Sequence, residues 1–406
     1  MTGQNNKAAT RLNAIQGHLQ PNQYDVAVIG LGALGSSAAY QAAKRGVSVV
    51  GFEQFEFGHV RGASHDTSRI VRMSYELPQY VSLARLAYKE WAKLEEAAKQ
   101  KILTITGGIV IFDKNGLPSG KSWVKALESQ GLPYELLNAE QANKRWPQFH
   151  IKDHEEVIYT ANTGMVHAAK SVAAFQHQAR AHGADLKEHT RVESITPERD
   201  GVVIETSKGR FRARKVILAG DAWTNKLLAP LGAEIPLLVT QEQVTYFKPT
   251  NPENYEPDRF PVWIRTGKKF YYGFPCYGES TIKAGVDNTP KYTTADTRDF
   301  VPDPDVLHDL SATMQDFMPD PGREALRTAT CLYTLTPDRQ FVIAPVPKHE
   351  NIIVTLASGH GFKFSPAFGK VAAQLAIDGK TEQDISLFQY PTPEVLADPR
   401  RPKWTD

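Results

Sequence analysis

The sequence predicts a mixed α/β (α+β) chain in which a parallel-stranded unit is interleaved with an antiparallel-sheet unit. Three observations predict it. A strand, a glycine turn, a helix and a second strand follow one another over 24–55. Apolar residues alternate in several short runs between 239 and 286, the period of a sheet with one solvated face. A strand–turn–helix pattern returns over 352–377, so elements of the first kind flank the alternating ones.

The elements read in order as follows. Residues 26–29 are a short apolar run bounded by glycine, which suits a buried parallel strand. Alanine-rich 36–45 reads as a helix that Gly46 stops, and 47–52 is a second apolar strand, completing a βαβ unit. A polar stretch over 58–72 leads to helical patterns around 81–99 and 121–130. Residues 157–168 are part strand and part loop, 170–182 helical, and 184–188 a strand. Runs 192–196, 202–206 and 211–213 form a meander, and 215–220 is another buried strand ending in glycine. The alternating runs are 244–247, 262–265, 270–274 and 281–286, followed by a helix over 303–317. The strand at 352–357 and the helix at 366–377 close the series, with no internal repeat.

A chain of 406 residues has material for two or three domains. Its composition, 41% hydrophobic and 23% charged, is that of an ordinary globular protein. A net charge of +2 with no basic stripe excludes nucleic acid as an expected partner. Two cysteines, Cys276 and Cys331, exclude a disulfide framework and argue against a metal site. The first 23 residues are polar, with no apolar core of a secretory signal, and read as a tail. No run reaches the roughly 18–20 apolar residues of a membrane span. The C-terminus carries no peroxisomal or other address signal, so a cytoplasmic protein is expected.

Three constellations carry chemistry. The first is Gly30-x-Gly32-x-x-Gly35, with Glu53 at the end of the second strand, 18 residues beyond Gly35. Gly30 permits the tight turn, Gly32 lets backbone approach a pyrophosphate, and Gly35 lets helix pack on strand. Amides at the helix start attract phosphates, and Glu53 accepts from ribose hydroxyls. This makes the first unit a Rossmann-like dinucleotide domain. The turn by itself serves FAD and NAD alike.

The second is the run from Ser64 and His65 through Arg69 to Arg72. Ser-His-Asp in direct succession is not a nucleophilic triad, whose members converge from separate segments. The run reads either as a solvated loop or as an arginine fork for a carboxylate, with Arg69 and Arg72 on neighbouring faces if it is helical. The third is Gly359-His-Gly361-Phe-Lys363-Phe-Ser-Pro. Ser365 suits an N-cap and Pro366 the first helical position. Lys363 beside a helix N-terminus favours an anion.

In sequence order, the glycine turn, SHDTSRIVR, VILAGDAW, FYYGFP, CLYT and SGHGFKFSPAFG resemble the monomeric sarcosine oxidase family, which includes N-methyltryptophan and pipecolate oxidases. The resemblance runs from 24 to about 388. It implies a fold of the D-amino-acid oxidase type. Its FAD-binding domain would comprise 24–80, 155–235 and 325–390, and its substrate domain 81–154 and 236–324, with tails at 1–23 and 391–406.

It implies a monomeric FAD oxidase of secondary amines of amino acids. The substrate is a small amine, oxygen the acceptor, and an imine and hydrogen peroxide the products. Cys331 matches the cysteine that binds the flavin covalently; taken alone it reads as a small buried hydrophobe. Arg72 and Lys363 match the pair that grips the substrate carboxylate, and Lys363 would also steady negative charge at the flavin's pyrimidine end. His65 and Arg69 match residues packed near the flavin, alongside Ser64, Trp223, Gly359 and Gly361 as cofactor contacts. Lys283 matches the lysine that activates oxygen, although a mid-strand lysine by itself reads as a solvent-facing charge. Tyr272 and Tyr333 match aromatics of the substrate cavity, where core packing is the alternative.

Asp287 departs from the pattern, standing where sarcosine-specific members carry histidine. An acid there favours a longer amine, or one with a second cationic group, over sarcosine. A flavin can hand its electrons to another acceptor, so oxidase over dehydrogenase rests on Lys283. An NAD-dependent dehydrogenase and a non-catalytic flavin-binding protein would share the glycine turn.

Overall fold

The computed structural model describes residues 22–116, 120–287, 289–320, 325–399 and 401–402. Its first sheet has parallel strands at its centre. Gln23–Ile29 lies between Gly209–Leu218 and Val49–Phe52, and Asp185–Lys187 follows at the edge. His349–Leu356 runs parallel along the C-terminal half of Gly209–Leu218, with Val342–Val346 antiparallel beyond it.

Alternate side chains of one strand enter opposite layers. Val26 and Val28 join a core with Phe175 and Phe368 from the helices Ala168–Ala181 and Ser365–Asp378. Ala27 and Ile29 join a second core under the meander, with Ile204 and Phe211. Burial on both faces explains why these strands read as continuous apolar runs.

The second sheet has eight strands in the order Ala325–Leu335, Leu238–Phe247, Ile282–Asp287, Phe270–Phe274, Val262–Arg265, Gly108–Asp113, Glu155–Thr160, Glu135–Asn138. The four alternating runs form its centre, antiparallel as expected. One junction differs: Val262–Arg265 pairs parallel with Gly108–Asp113, because the sheet joins two chain segments edge to edge. The helix Pro304–Phe317 covers one face, where Trp263 meets Phe317 at 4.8 Å between ring centroids. A three-stranded ladder of Ser68–Val71, Gly164–His167 and Leu103–Ile105 ties the two sheets' chain segments together.

Several expectations are corrected. Residues 211–213 and 215–220 belong to one ten-residue strand, Gly209–Leu218, which pairs antiparallel with the meander and then parallel with Gln23–Ile29. Residues 157–168 divide into two strands in different sheets. Residues 325–335, expected in the cofactor domain, are a long alternating strand of the second sheet, zipped along Leu238–Phe247. Glu155–Thr160 belongs there too.

The described residues 391–399 and 401–402 are not a loose tail. Thr392 caps the short helix Pro393–Ala397, Arg401 pairs with the buried Asp338, and the Pro402 carbonyl accepts from Gln340 at 3.0 Å. Of the expected tail over 1–23, Gln23 already opens the first strand, paired with Arg212; residues 1–21 and 403–406 lie outside the described residues. Among the described residues no helix is long and apolar enough to cross a membrane.

Candidate active site

A cavity of about 880 Å³ runs from the glycine turn to the junction of the two sheets. The turn forms one end. Gly30 has φ of +88°, and a methyl group on Gly35 would collide with the Gly30 carbonyl. Glu53 is buried and holds the turn: its carboxylate accepts from Leu31 N at 3.0 Å and Phe55 N at 3.2 Å, with His59 Nε2 at 3.4 Å. A carboxylate has room for further acceptor bonds beyond these.

Ser64 Oγ accepts from Ala33 N at 3.0 Å at the start of the helix Ala33–Ala43. Trp223 lines the same end, its ring edge-on to Phe55 at 5.7 Å. Gly35→Ala is expected to destabilise the protein by about 1–3 kcal/mol through overpacking. A lower urea midpoint than that of the native protein checks it.

The run 64–72 crosses the middle of the cavity and is extended, not helical: Ser68–Val71 is a strand. Arg69 and Arg72 therefore diverge. The Arg69 guanidinium turns back on its own loop, donating to the carbonyls of Ala63, His65 and Ser68 at 2.9–3.1 Å. It lies 5.6 Å from the Phe362 ring centroid. His65 lies beside it, its Nε2 buried without a hydrogen-bond partner. Burial first, then Arg69, pushes the imidazole down to about 4.

Lys283, in the strand Ile282–Asp287, is 3% exposed. Its ammonium sits 2.7 Å from Asp66 Oδ2 and donates to Ser68 O at 2.9 Å. Burial, then Arg69, pulls it down to about 8 while Asp66 opposes. Cys331 lines the cavity opposite Glu242 in the strand pairing, and burial pushes its thiol up to about 11.

At the far end Arg72 and Lys363 converge on one ring: the guanidinium is 4.8 Å and the ammonium 6.0 Å from the Tyr75 centroid. Trp123 stands 5.0 Å from Arg72 on another side. Arg72 Nη1 is buried without a hydrogen-bond partner. Lys363 donates to His360 O at 2.7 Å, and Trp91 Nε1 fixes its backbone carbonyl at 2.9 Å. Burial, then the Arg72 charge, lowers the Lys363 ammonium to about 7.

Gly359 and Gly361 lie on the turn after His349–Leu356 and line the cavity with Tyr272 and Tyr333, whose hydroxyls burial pushes up. Ser365 is not an N-cap. The 3₁₀ turn Phe362–Phe364 runs straight into the helix, so Ser365 is already helical at φ −50°, ψ −40° and its hydroxyl caps nothing.

Three cavity residues escaped sequence reasoning. Asp66 sits inside a run that reads as a polar loop. Arg298 is buried and grips the neighbour of Cys331, donating to Thr330 O at 2.5 Å and Oγ1 at 2.8 Å, and to Arg61 O at 2.9 Å. Arg339 answers Asp287, with Nη2 3.3 Å from Oδ2. No periodicity marks any of them; each matters through a partner distant in sequence.

The model of the FAD dependent oxidoreductase family matches residues 25–375. The chain belongs to the FAD-dependent oxidoreductase family. Within it the chain groups with the monomeric sarcosine oxidases. It is 35% identical to that of a Bacillus species (strain B-0618) over 375 residues, 91% of this chain and 96% of the relative. The N-methyl-L-tryptophan oxidase of Escherichia coli is 27% identical over 90% of this chain and 98% of its own. Among solved structures, NikD, described as an unusual amino acid oxidase essential for nikkomycin biosynthesis, superposes with a TM-score of 0.83. It is 27% identical, covering 92% of this chain and 98% of its own.

The site residues of this FAD-dependent oxidoreductase fit the cofactor. The glycine turn leaves backbone amides at a helix start, and the cavity continues from there to Cys331 and Lys283. FAD is its cofactor.

Proposed function

We propose that the chain oxidises secondary amines of amino acids and passes the electrons to oxygen, releasing an imine and hydrogen peroxide. One observation carries the reading. Two cations, Arg72 and Lys363, face one cavity wall with Arg72 Nη1 unpartnered, an arrangement that calls for an anion. A substrate carboxylate supplies it. FAD, when bound, would supply the redox chemistry, accepting a hydride equivalent from the substrate and passing two electrons to oxygen.

The chain's residues do the rest. Arg72 and Lys363 orient the carboxylate, while Tyr272 and Tyr333 wall the amine and its alkyl group. Gly30, Gly32, Gly35 and Glu53 hold the nucleotide, with Ser64, His65, Arg69, Trp223, Gly359 and Gly361 around the cofactor. Lys283 places a positive charge where oxygen acquires electrons. The protein works as a monomer, in keeping with the names of its relatives.

We further read Cys331 as the attachment point of the flavin, supported by its place in the cavity wall, where the cations Arg69, Arg298 and Lys283 partly offset the burial that raises its thiol. Cys331→Ala is expected to yield protein whose yellow colour leaves on acid precipitation, while the native protein keeps it in the pellet. Colour lost from both would remove Cys331 from that role.

Arg339 changes what Asp287 says about the substrate. The acid is matched by a guanidinium, so a cationic side chain would have to displace Arg339. Neutral N-alkyl and cyclic amino acids therefore fit better than amines with a second cation. A peroxide-coupled screen across sarcosine, other N-methyl amino acids, pipecolate and longer amines tests the whole reading. Peroxide from at least one secondary amino acid supports it, and none from any of them rejects it.

A further inference from the structure

We propose that Asp66 is a positioning residue that keeps the Lys283 side chain charged and aimed into the cavity during the oxygen half-reaction. This rests on the reading of Lys283 given above. Three geometric facts carry it. The ammonium and carboxylate touch at 2.7 Å with side chains 3% and 6% exposed, so water does little to screen them. The other carboxylate oxygen accepts from the Tyr246 hydroxyl, which itself lies 3.0 Å from Thr67 Oγ1, so the acid is fixed from both sides.

The third fact is the backbone. Asp66 has φ of +80°, in the left-handed region that favours glycine. Aspartate is among the few other residues that tolerate it. The chain holds a carboxylate in a conformation that glycine would adopt at no cost.

The groups around Lys283 make Asp66 decisive. Arg69 and His65 come from the same segment as Asp66, Tyr246 from the strand beside Lys283, Cys331 from the strand beyond it, and His167 from the small ladder. Arg69 and burial drive the lysine towards its neutral amine. The Cys331 thiol, pushed up to about 11, and the Tyr246 phenol, pushed up by burial, stay uncharged near neutral pH. Asp66, held well below the usual carboxylate range chiefly by Lys283 and Arg69 against its burial, is the standing negative charge among them.

In the reaction, oxygen takes two electrons and two protons to become hydrogen peroxide. The electrons and one proton come from the reduced cofactor and the second proton from water. Lys283 and Asp66 end as they began.

The test titrates Lys283 directly. Protein carrying ¹³C at the lysine ε carbons, with the Lys283 resonance assigned by its loss in Lys283→Met, is followed by NMR against pH, both loaded and flavin-free. Asp66→Asn should lower the Lys283 midpoint by about 1–3 pH units, the effect of removing an adjacent opposite charge. The alkaline fall in the reoxidation rate should move down in pH by the same amount. Asp66→Gly suits the backbone angle, so it folds without the carboxylate, and it should shift the midpoint as Asp66→Asn does. In a Lys283→Met background, Asp66→Asn should alter reoxidation no further. A midpoint that stays put in both Asp66 variants overturns the proposal even when Lys283→Met slows reoxidation. Reoxidation unaffected by Lys283→Met overturns the oxygen role of Lys283, and the proposal with it.

Discussion

Lys283→Met should slow reoxidation of the reduced enzyme by oxygen on the order of 10²–10³-fold, the cost of removing one preorganised charge from a site where charge develops. Anaerobic reduction by substrate should slow far less, because Arg72 and Lys363, the cations proposed to grip the substrate, are untouched. Stopped-flow measurement of the two half-reactions separates them, and equal slowing of both would remove Lys283 from the oxygen step. Methionine keeps an unbranched apolar stem one heavy atom shorter than lysine, so most of the packing is conserved. It leaves the Asp66 carboxylate without its 2.7 Å partner, and breaking a buried pair from one side costs about 3–5 kcal/mol. The variant should therefore melt early, and Lys283→Met/Asp66→Asn should recover part of that loss. The pH dependence has a definite sign. Lys283 carries its charge below its value of about 8 and loses it above, so native reoxidation should be fastest on the acid side and decline as pH rises through 8.

The site was legible where its chemistry is local. The turn Gly30–Leu31–Gly32 and Glu53 lie within one βαβ unit, so spacing alone places the acid beside the turn, where it accepts from Leu31 N. Lys363 is marked by the glycine turn and helix start around it. Asp66 was not legible, because its meaning comes from Lys283 in another sheet and from a backbone angle that no side-chain pattern encodes. Arg298 and Arg339 lie on irregular segments, and only the folded chain brings them to Thr330 and Asp287.

The fold divides in the same way. Elements with a clear 3.6- or 2-residue period, such as Pro78–Ala98 and Phe270–Phe274, fall close to their expected bounds. Gly108–Asp113 is short and begins on the second of two glycines, and it becomes a strand through its non-local pairing with Val262–Arg265 and Glu155–Thr160. The Ser365 cap failed for a related reason: the local signal was present, but a 3₁₀ turn held by Phe364 N to Gly361 O displaced it.

Arg72→Met should weaken binding of small carboxylate inhibitors roughly 10- to 150-fold, the loss of one charge-assisted hydrogen bond at about 1.5–3 kcal/mol. The geometry explains why this residue should matter more than a surface arginine. Its guanidinium packs between the Tyr75 and Trp123 rings, 4.8 and 5.0 Å from their centroids, which orients it without satisfying Nη1. Binding an anion completes that hydrogen bonding, whereas methionine removes the donors along with the guanidinium's contact with both rings. Lys363 adds a pH dependence. Its charge is present below about 7 and lost above, because burial and the Arg72 cation oppose protonation. A bound carboxylate favours the charged form, so inhibitor affinity should fall as pH rises through 7, with a proton taken up on binding at that pH. In Arg72→Met the repulsion from Arg72 disappears, Lys363 holds its proton to higher pH, and the decline in affinity should move upward in pH. Calorimetric titration of an aliphatic carboxylate in buffers of different ionisation enthalpy measures affinity and proton uptake together. Affinity unchanged by Arg72→Met, or a decline displaced downward in pH, would show that the two cations do not share one anion.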